Sequence, residues 1–221
     1  PGIDTGHFRP AKSALVWAHF AHQWTLSVQG PGGWFAGGTA ARNNLVEKHP
    51  HDDTPAHPPQ PPAGAPRMIW ALSCVAALGC AIVGGILYGF SSFVMRALAQ
   101  LPGDAGVAAM NAINRVVITP SFMLPFIGSA LLGTGLAVAA PFTAATTLQR
   151  ACLIAAGALY AIGCFGVTLR INQPMNLMLA AMPAERAAAF WPEYVARWLR
   201  WNHVRTVAAL GAAALFVASL F

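Results

Sequence analysis

Two stretches place polar side chains inside or beside greasy sequence, and their residue types could do chemistry together. TLRINQPMN, residues 168–176, follows the apolar run LIAAGALYAIGCFGV and carries Thr168, Asn172 and Asn176 around Pro174. WPEYVARWLRWNHVR, residues 191–205, carries Trp198, Trp201, Asn202, His203 and Arg205. A guanidinium stabilises a developing anion, amides supply donors and acceptors, and indoles give a flat stacking surface. Such a set suits a flat, oxygen-bearing molecule entering from lipid.

Helical spacing sorts these residues. At about 100° per residue, Trp191, Tyr194, Trp198, Trp201, Asn202 and Arg205 share an arc of roughly 100°. An aromatic belt at the headgroup level explains the indoles, but it does not require Asn202 and Arg205 to continue the stripe. An arginine is expensive in lipid, so Arg205 should face a partner or a cavity. His203 is the one histidine after Met68, and imidazoles are common general bases near neutrality. On the helix it lies about 160° from Arg205, which points it to a different face.

Two further segments bear on the same membrane side. In AGVAAMNAINRVVITP, Asn111, Asn114 and Arg115 fall within roughly 100° on a helix; the segment reads as an interfacial helix, with Asn114 free to join a pocket. Thr168 and Asn172 are four apart and share a face. Pro174 cannot donate to the Arg170 carbonyl and disfavours helix at Gln173, so a break is expected there. Asn172 and Asn176 then serve either as caps or as pocket groups. The candidates are Arg205, Asn202 and His203 for catalysis, and Asn114, Asn172, Asn176, Trp198 and Trp201 for substrate binding.

The elements that must position them are membrane helices. The 221 residues are 56% hydrophobic and only 9% charged, with a mean hydropathy of +0.53, against about 25% charged residues in a soluble domain. Four apolar runs follow, about 69–95, 120–140, 151–171 and 203–221. The expected fold is all-α: a four-helix transmembrane bundle with short interfacial helices. Small residues at four-residue spacing, Ala81, Gly85 and Gly89, are expected to let helices of the bundle approach closely. Pro192 suits the first turn of the last helix, with Glu193 at its positive end.

Residues 1–67 are Pro-, Gly- and His-rich and lack a periodic apolar face, so they read as a disordered extension ahead of the membrane domain 68–221. Met68 is the first methionine and directly precedes the first run, which makes it the expected start. From Met68 onward every basic residue is Arg, opposed only by Asp104, Glu185 and Glu193. Loops one and three and the adjoining helix ends carry Arg96, Arg115, Arg170, Arg186, Arg197, Arg200 and Arg205, which puts this side in the cytoplasm; the membrane is expected to be a bacterial inner membrane. The basic balance is thus a topology signal; no basic block interleaved with aromatics points to nucleic acid. Cys74, Cys80, Cys152 and Cys164 form no CxxC pair and read as small buried residues.

T-x-x-x-N-x-P-x-N (Thr168, Asn172, Pro174, Asn176) followed by W-x-x-W-N-H-x-R (Trp198, Trp201, Asn202, His203, Arg205) resembles the anthrone-oxygenase-like family of small four-span membrane proteins. N-R-x-x-x-x-P-x-F (Asn114, Arg115, Pro120, Phe122) fits as well. The resemblance covers about 68–221. Gln173 stands where the family tends to have an apolar residue, and Arg170 is more polar than its pattern. Most bacterial members have no assigned activity. The resemblance implies oxidation of an anthrone-like phenolic substrate by molecular oxygen, without metal, flavin or other cofactor. One histidine cannot supply a paired haem site, and no spaced His/Glu/Asp set suits non-haem iron. The rival reading is a non-enzymatic membrane protein that binds a lipid or protein partner through the same polar residues. A proton-coupled transporter would want a carboxylate within a span, and none is there.

Overall fold

Hydrogen bonds unavailable in lipid must be made within the chain, and this chain makes them in helices. The structure, a computed structural model, describes residues 65–143 and 145–221; five helices account for most of them, and no strand occurs among them. The proposed extension therefore falls largely outside the described residues. Helix α1 runs over Ala65–Gly89, widens into a π-helical stretch at Phe90–Val94 and ends as Met95–Leu98. Helix α2 is Gly103–Val116, and α3 is Pro120–Ala139 with a 3₁₀ turn at Ala140–Phe142. Helix α4 is Thr147–Ala181, and α5 is Ala184–Ala218.

Local chemistry explains most boundaries. Pro120 sits in the first turn of α3 after an extended Thr119, where its missing N–H costs nothing. Thr146 and Gln149 form a capping box that opens α4. Helix α1 begins at Ala65, where Pro66 is compatible with a first helical turn. Two expectations need correction. First, Pro192 lies inside α5 rather than in its first turn; the Ala-rich AERAAAF starts the helix early, after Pro183. Second, Pro174 does not break α4. The helix is π-helical over Leu159–Gly166 and Thr168–Asn172, and the Gln173 N–H reaches back five residues to the Thr168 carbonyl. The wider turn accommodates the ring and the lost donor.

Three helices, Arg67–Leu98, Pro120–Phe142 and Thr147–Ala181, are long and apolar enough to cross a membrane, which points to an integral membrane protein. Helix α5 is not among them, since Asn202, His203 and Arg205 interrupt its apolar half. It packs along α1 and α4, while α3 packs on α1 and α4. The outer faces carry exposed Leu78, Ile82, Phe93, Leu124, Leu131 and Ile162.

Apolar packing falls into two clusters. The larger joins Val83, Leu87, Phe126, Tyr160, Cys164, Ala209 and Phe216 from α1, α3, α4 and α5. The smaller joins Met95, Met110, Met175, Leu179, Trp191, Tyr194 and Trp198. It forms a cap built from the end of α1, helix α2, the end of α4 and the start of α5.

Close helix contacts come from glycines other than those expected. Ala81 and Gly85 are exposed, and a Cβ at Gly85 would meet nothing within 4 Å. The stripe therefore faces outward rather than into the bundle. At Gly106 on α2, by contrast, a Cβ would fall on the Trp191 indole of α5. Gly106→Ala should cost about 1–3 kcal/mol by overpacking, and Gly85→Ala should stay within about 0.5 kcal/mol of the parent. Thermal unfolding of both variants in detergent checks this; equal losses would contradict the assigned contacts.

Candidate functional site

Between the two apolar clusters, each helix that crosses the boundary changes to polar residues at the same height. On α1, Ser91 lies between Leu87 and Met95; on α4, Thr168 and Asn172 lie between Cys164 and Met175. On α5, Asn202 and Arg205 lie between Trp198 and Ala208. All three π-helical stretches run through or next to this level. Such turns concentrate at functional sites because they re-aim side chains from a helix that otherwise stays intact.

Arg205 is the centre of the layer and is only 6% exposed. Its Nη2 donates to Asn202 Oδ1 at 2.6 Å and its Nη1 to Thr168 Oγ1 at 3.2 Å. The guanidinium lies over the Trp198 ring, 5.0 Å from its centroid, a cation–π contact that offsets part of the desolvation cost. Every one of these partners is neutral. Among the described residues the acidic side chains, Asp104, Glu185 and Glu193, are all exposed. The Nε–H of Arg205 is buried and has no partner, and so is Asn172 Oδ1, whose amide Nδ2 donates to the Trp198 carbonyl at 3.3 Å.

The orientation of Asn202 follows from donor counting. Its Nδ2 donates to the Leu87 carbonyl and to Ser91 Oγ, both at 2.8 Å. The Thr206 hydroxyl gives its single proton to the Asn202 carbonyl at 2.8 Å, so in the 3.0 Å pair with Ser91 it must accept. Ser91, Thr206 and Asn202 thus close a ring that leaves only Oδ1 to face Arg205. Thr168 likewise donates to the Cys164 carbonyl at 2.8 Å and accepts from the guanidinium. Asn202 is fully engaged within the protein, which makes it a positioning residue for Arg205.

Above this centre, in the cap, Asn176 Oδ1 accepts from Tyr194 OH at 2.8 Å and Trp198 Nε1 at 3.0 Å. Its Nδ2 donates to Asn114 Oδ1 at 2.9 Å. Burial pushes the Tyr194 hydroxyl above its ordinary pKa, so it stays a donor. Trp191 stacks on Tyr194, with centroids 5.5 Å apart.

Of the expected residues, the structure brings together Asn114, Asn172, Asn176, Trp198, Asn202 and Arg205. Trp201 is half-buried and makes none of these hydrogen bonds. His203 is exposed on the other side of α5, as its angular offset implies. Cys80 and Cys164 are buried, whereas Cys74 and Cys152 are only half-buried. Among the described residues no three His, Cys, Asp or Glu side chains gather in a way that could hold a metal ion. Sequence reading missed Ser91 and Thr206; the signal for Thr206 was its place four residues after Asn202, and Ser91 had no signal within its apolar run.

Fold and site together define a helical membrane protein with a buried arginine centre under a small helical cap. Residues 121–215 match the family model described as anthrone oxygenase, which supports an anthrone-oxygenase-like family for this chain. The matched stretch is under half of the chain; it contains Thr168, Asn172, Asn176, Trp198, Asn202 and Arg205, while Asn114 precedes it. No curated protein and no solved structure matches the chain.

Asn202→Leu removes the shortest hydrogen bond of a buried guanidinium and should cost about 2–3 kcal/mol. Ser91→Ala and Thr206→Val should each cost about 1 kcal/mol. Their double-mutant cycle should show coupling above about 0.5 kcal/mol. Thermal unfolding in nanodiscs measures all three, and additive losses at Ser91 and Thr206 would argue against the closed ring.

Proposed function

We propose that this protein is a cofactor-independent oxygenase of a bacterial inner membrane, acting on an anthrone-like phenolic, largely apolar substrate. The observation that carries the reading is the buried Arg205 guanidinium, held only by neutral partners and with its Nε–H unengaged. A cation so placed lacks an internal anion, and an ionised substrate oxygen would supply one.

The proposal includes four spans. Pro120–Phe142 has 23 residues, which is about 34 Å of helix against a hydrocarbon core of about 30 Å. Counting the same length back from Ser91 on α1 and Arg170 on α4 ends near Ile69 and Thr147. On α5, residues 203–221 cover most of that depth, and Val204, Val207, Leu210 and Val217 are exposed there as lipid-facing residues would be. The polar layer then lies at the headgroup level, with the cap in water and an apolar substrate entering where cap and bundle meet. Exposed Arg96, Arg115, Arg186, Arg197 and Arg200 lie on this side, which makes it cytoplasmic by the positive-inside rule.

In this mechanism the substrate's ring lies against Trp198, and Asn172 with Arg205 receives its oxygen. Arg205 favours the enolate formed when a ring methylene loses a proton to water. The enolate passes one electron to oxygen, and the resulting radical and superoxide couple to a carbon-bound peroxide. Loss of the second methylene proton breaks the O–O bond and leaves a ketone, with the other oxygen released as water. Asn202 and Asn176 position Arg205 and Trp198, Asn114 belongs to the cap side of the site, and Trp201 borders it. His203, on the outer face, is not the base.

One observation favours a second reading. No carboxylate or imidazole among the described residues reaches the layer, and a binding protein for a lipid or a partner needs none.

Oxygen uptake and quinone formation by the full chain in detergent, with a panel of anthrones, separate the two. Turnover should fall about 10²–10³-fold in Arg205→Gln and stay within about twofold in His203→Ala. Folded protein without turnover, or turnover that survives Arg205→Gln, would favour the binding reading.

A further inference from the structure

Two features of the outer surface have no part in the buried site. One is the small-residue stripe of α1, which faces outward at Ala81 and Gly85. The other is His203, exposed on the outside of α5 one turn after the exposed Arg200. Contacts between the two helices bring these features together. A Cβ at Gly84 would fall on Leu210, and Asn202 donates to the Leu87 carbonyl at 2.8 Å, so α1 and α5 run antiparallel along one seam. Tyr88 lies four residues after Gly84 and His203 seven before Leu210. Each therefore shares the face of that contact, one and two turns nearer the cap. Leu210, Tyr88 and His203 are all exposed, which sets them on the outer edge of the seam.

The chemistry along this edge changes with depth. At the level of the polar layer lie the Arg200 guanidinium, the His203 imidazole and the Tyr88 hydroxyl, all of which can donate. Arg200 and His203 are three residues apart, hence neighbours on the helix surface. Ser92 adds nothing here, because its hydroxyl donates to the Tyr88 carbonyl at 2.8 Å. Glu193 shares the Arg200 face, but seven residues of helix, about 10 Å, separate the two. Below this level the edge is apolar. Val204, Val207 and Leu210 are exposed on α5, and Ala81 with Gly85 leaves a shallow trough on α1, where a Cβ at Gly85 would meet nothing within 4 Å. A fitting ligand carries an anion at the headgroup level and a hydrocarbon chain directly beneath it. A guanidinium takes a phosphate through two parallel N–H bonds. A second copy of this chain would use the trough, but two-fold symmetry would set its Arg200 and His203 against the same residues at the same height.

We infer that Arg200, His203 and Tyr88, with the trough of Ala81 and Gly85 beneath them, form a site on the outer face for an anionic phospholipid, whose headgroup has no cation to offset its phosphodiester. Basic groups between helices on the cytoplasmic side recognise anionic headgroups by this chemistry. The inference rests on the placement of the polar layer at the headgroup level. It does not depend on the oxygenase reading or on the buried Arg205.

The full chain in detergent is titrated with phosphatidylglycerol and with phosphatidylcholine of the same acyl chains, and bound lipid is counted by native mass spectrometry. Wild type should hold phosphatidylglycerol about tenfold or more tightly than phosphatidylcholine. Arg200→Gln combined with His203→Gln changes only exposed side chains, so it should fold normally and lose the preference. Arg115→Gln combined with Arg186→Gln, on the cap, should keep the preference within about twofold. Gly85→Phe puts a ring in the trough and should weaken phosphatidylglycerol binding about threefold or more. Equal binding of both lipids by wild type overturns the inference. A preference lost as fully in the cap pair as in the Arg200 and His203 pair means a diffuse surface charge and overturns it as well. So does a dimer that retains no lipid and dissociates in Gly85→Phe, which would give the trough to a second copy. A preference kept in the Arg200 and His203 pair but lost in Arg205→Gln would place the lipid at the buried layer, again overturning it. Absent oxygen uptake alongside a preference lost only in the Arg200 and His203 pair leaves the inference standing and counts only against the oxygenase reading.

Discussion

Burying a guanidinium with no carboxylate beside it is the constraint on which the rest of this structure depends. Near lipid such a charge is expensive, and here it is offset by two neutral hydrogen bonds, an indole face and the dipoles behind them. Each supporting group is committed in turn. Asn202 can offer its carbonyl only because Ser91 and Leu87 take both amide protons, and Thr168 can accept only because its own proton goes to Cys164. The arrangement therefore needs α1, α4 and α5 at one height, and a shift of any of the three would unpair the charge.

The π-helical stretches make that registry possible. Phe90–Val94 on α1 contains Ser91, and Leu159–Gly166 with Thr168–Asn172 lies on α4. Each widened turn rotates the following side chains relative to an ideal helix without ending the helix. The cap depends on the same devices, since it forms from the portions of α1 and α4 that continue past them, sealed by α2 through the contact of Gly106 with Trp191. An aromatic wall of Phe90 and Trp198, 5.6 Å apart, then separates cap from bundle beside the charge.

Much of the site was legible in the sequence because α5 is a regular helix. Angular spacing alone put Trp191, Tyr194, Trp198, Trp201, Asn202 and Arg205 on one stripe, buried except at the half-buried Trp201, and His203 off it. The partners on α4 were legible as residue types, but their conformation was not. Pro174 signals a break in an ideal α-helix, and nothing local announces that a π turn will absorb it. The role of Ser91 depends on a contact with residues more than a hundred positions away, which no local pattern encodes. The Ala81, Gly85 and Gly89 stripe was read correctly as small and wrongly as inward, because four-residue spacing defines a face without saying which way it turns.

The central claim is that the Arg205 layer stabilises an anionic oxygen on a flat ligand. Its most direct test is the ionisation of a planar phenolic dye, 1,8-dihydroxyanthraquinone, bound to the protein in nanodiscs and followed by visible absorbance against pH. A neighbouring cation favours the phenolate, so the bound dye should ionise at lower pH than the same dye in empty nanodiscs, and Arg205→Gln should abolish the difference. A bound dye that ionises at the same or a higher pH in the wild-type protein would contradict the account.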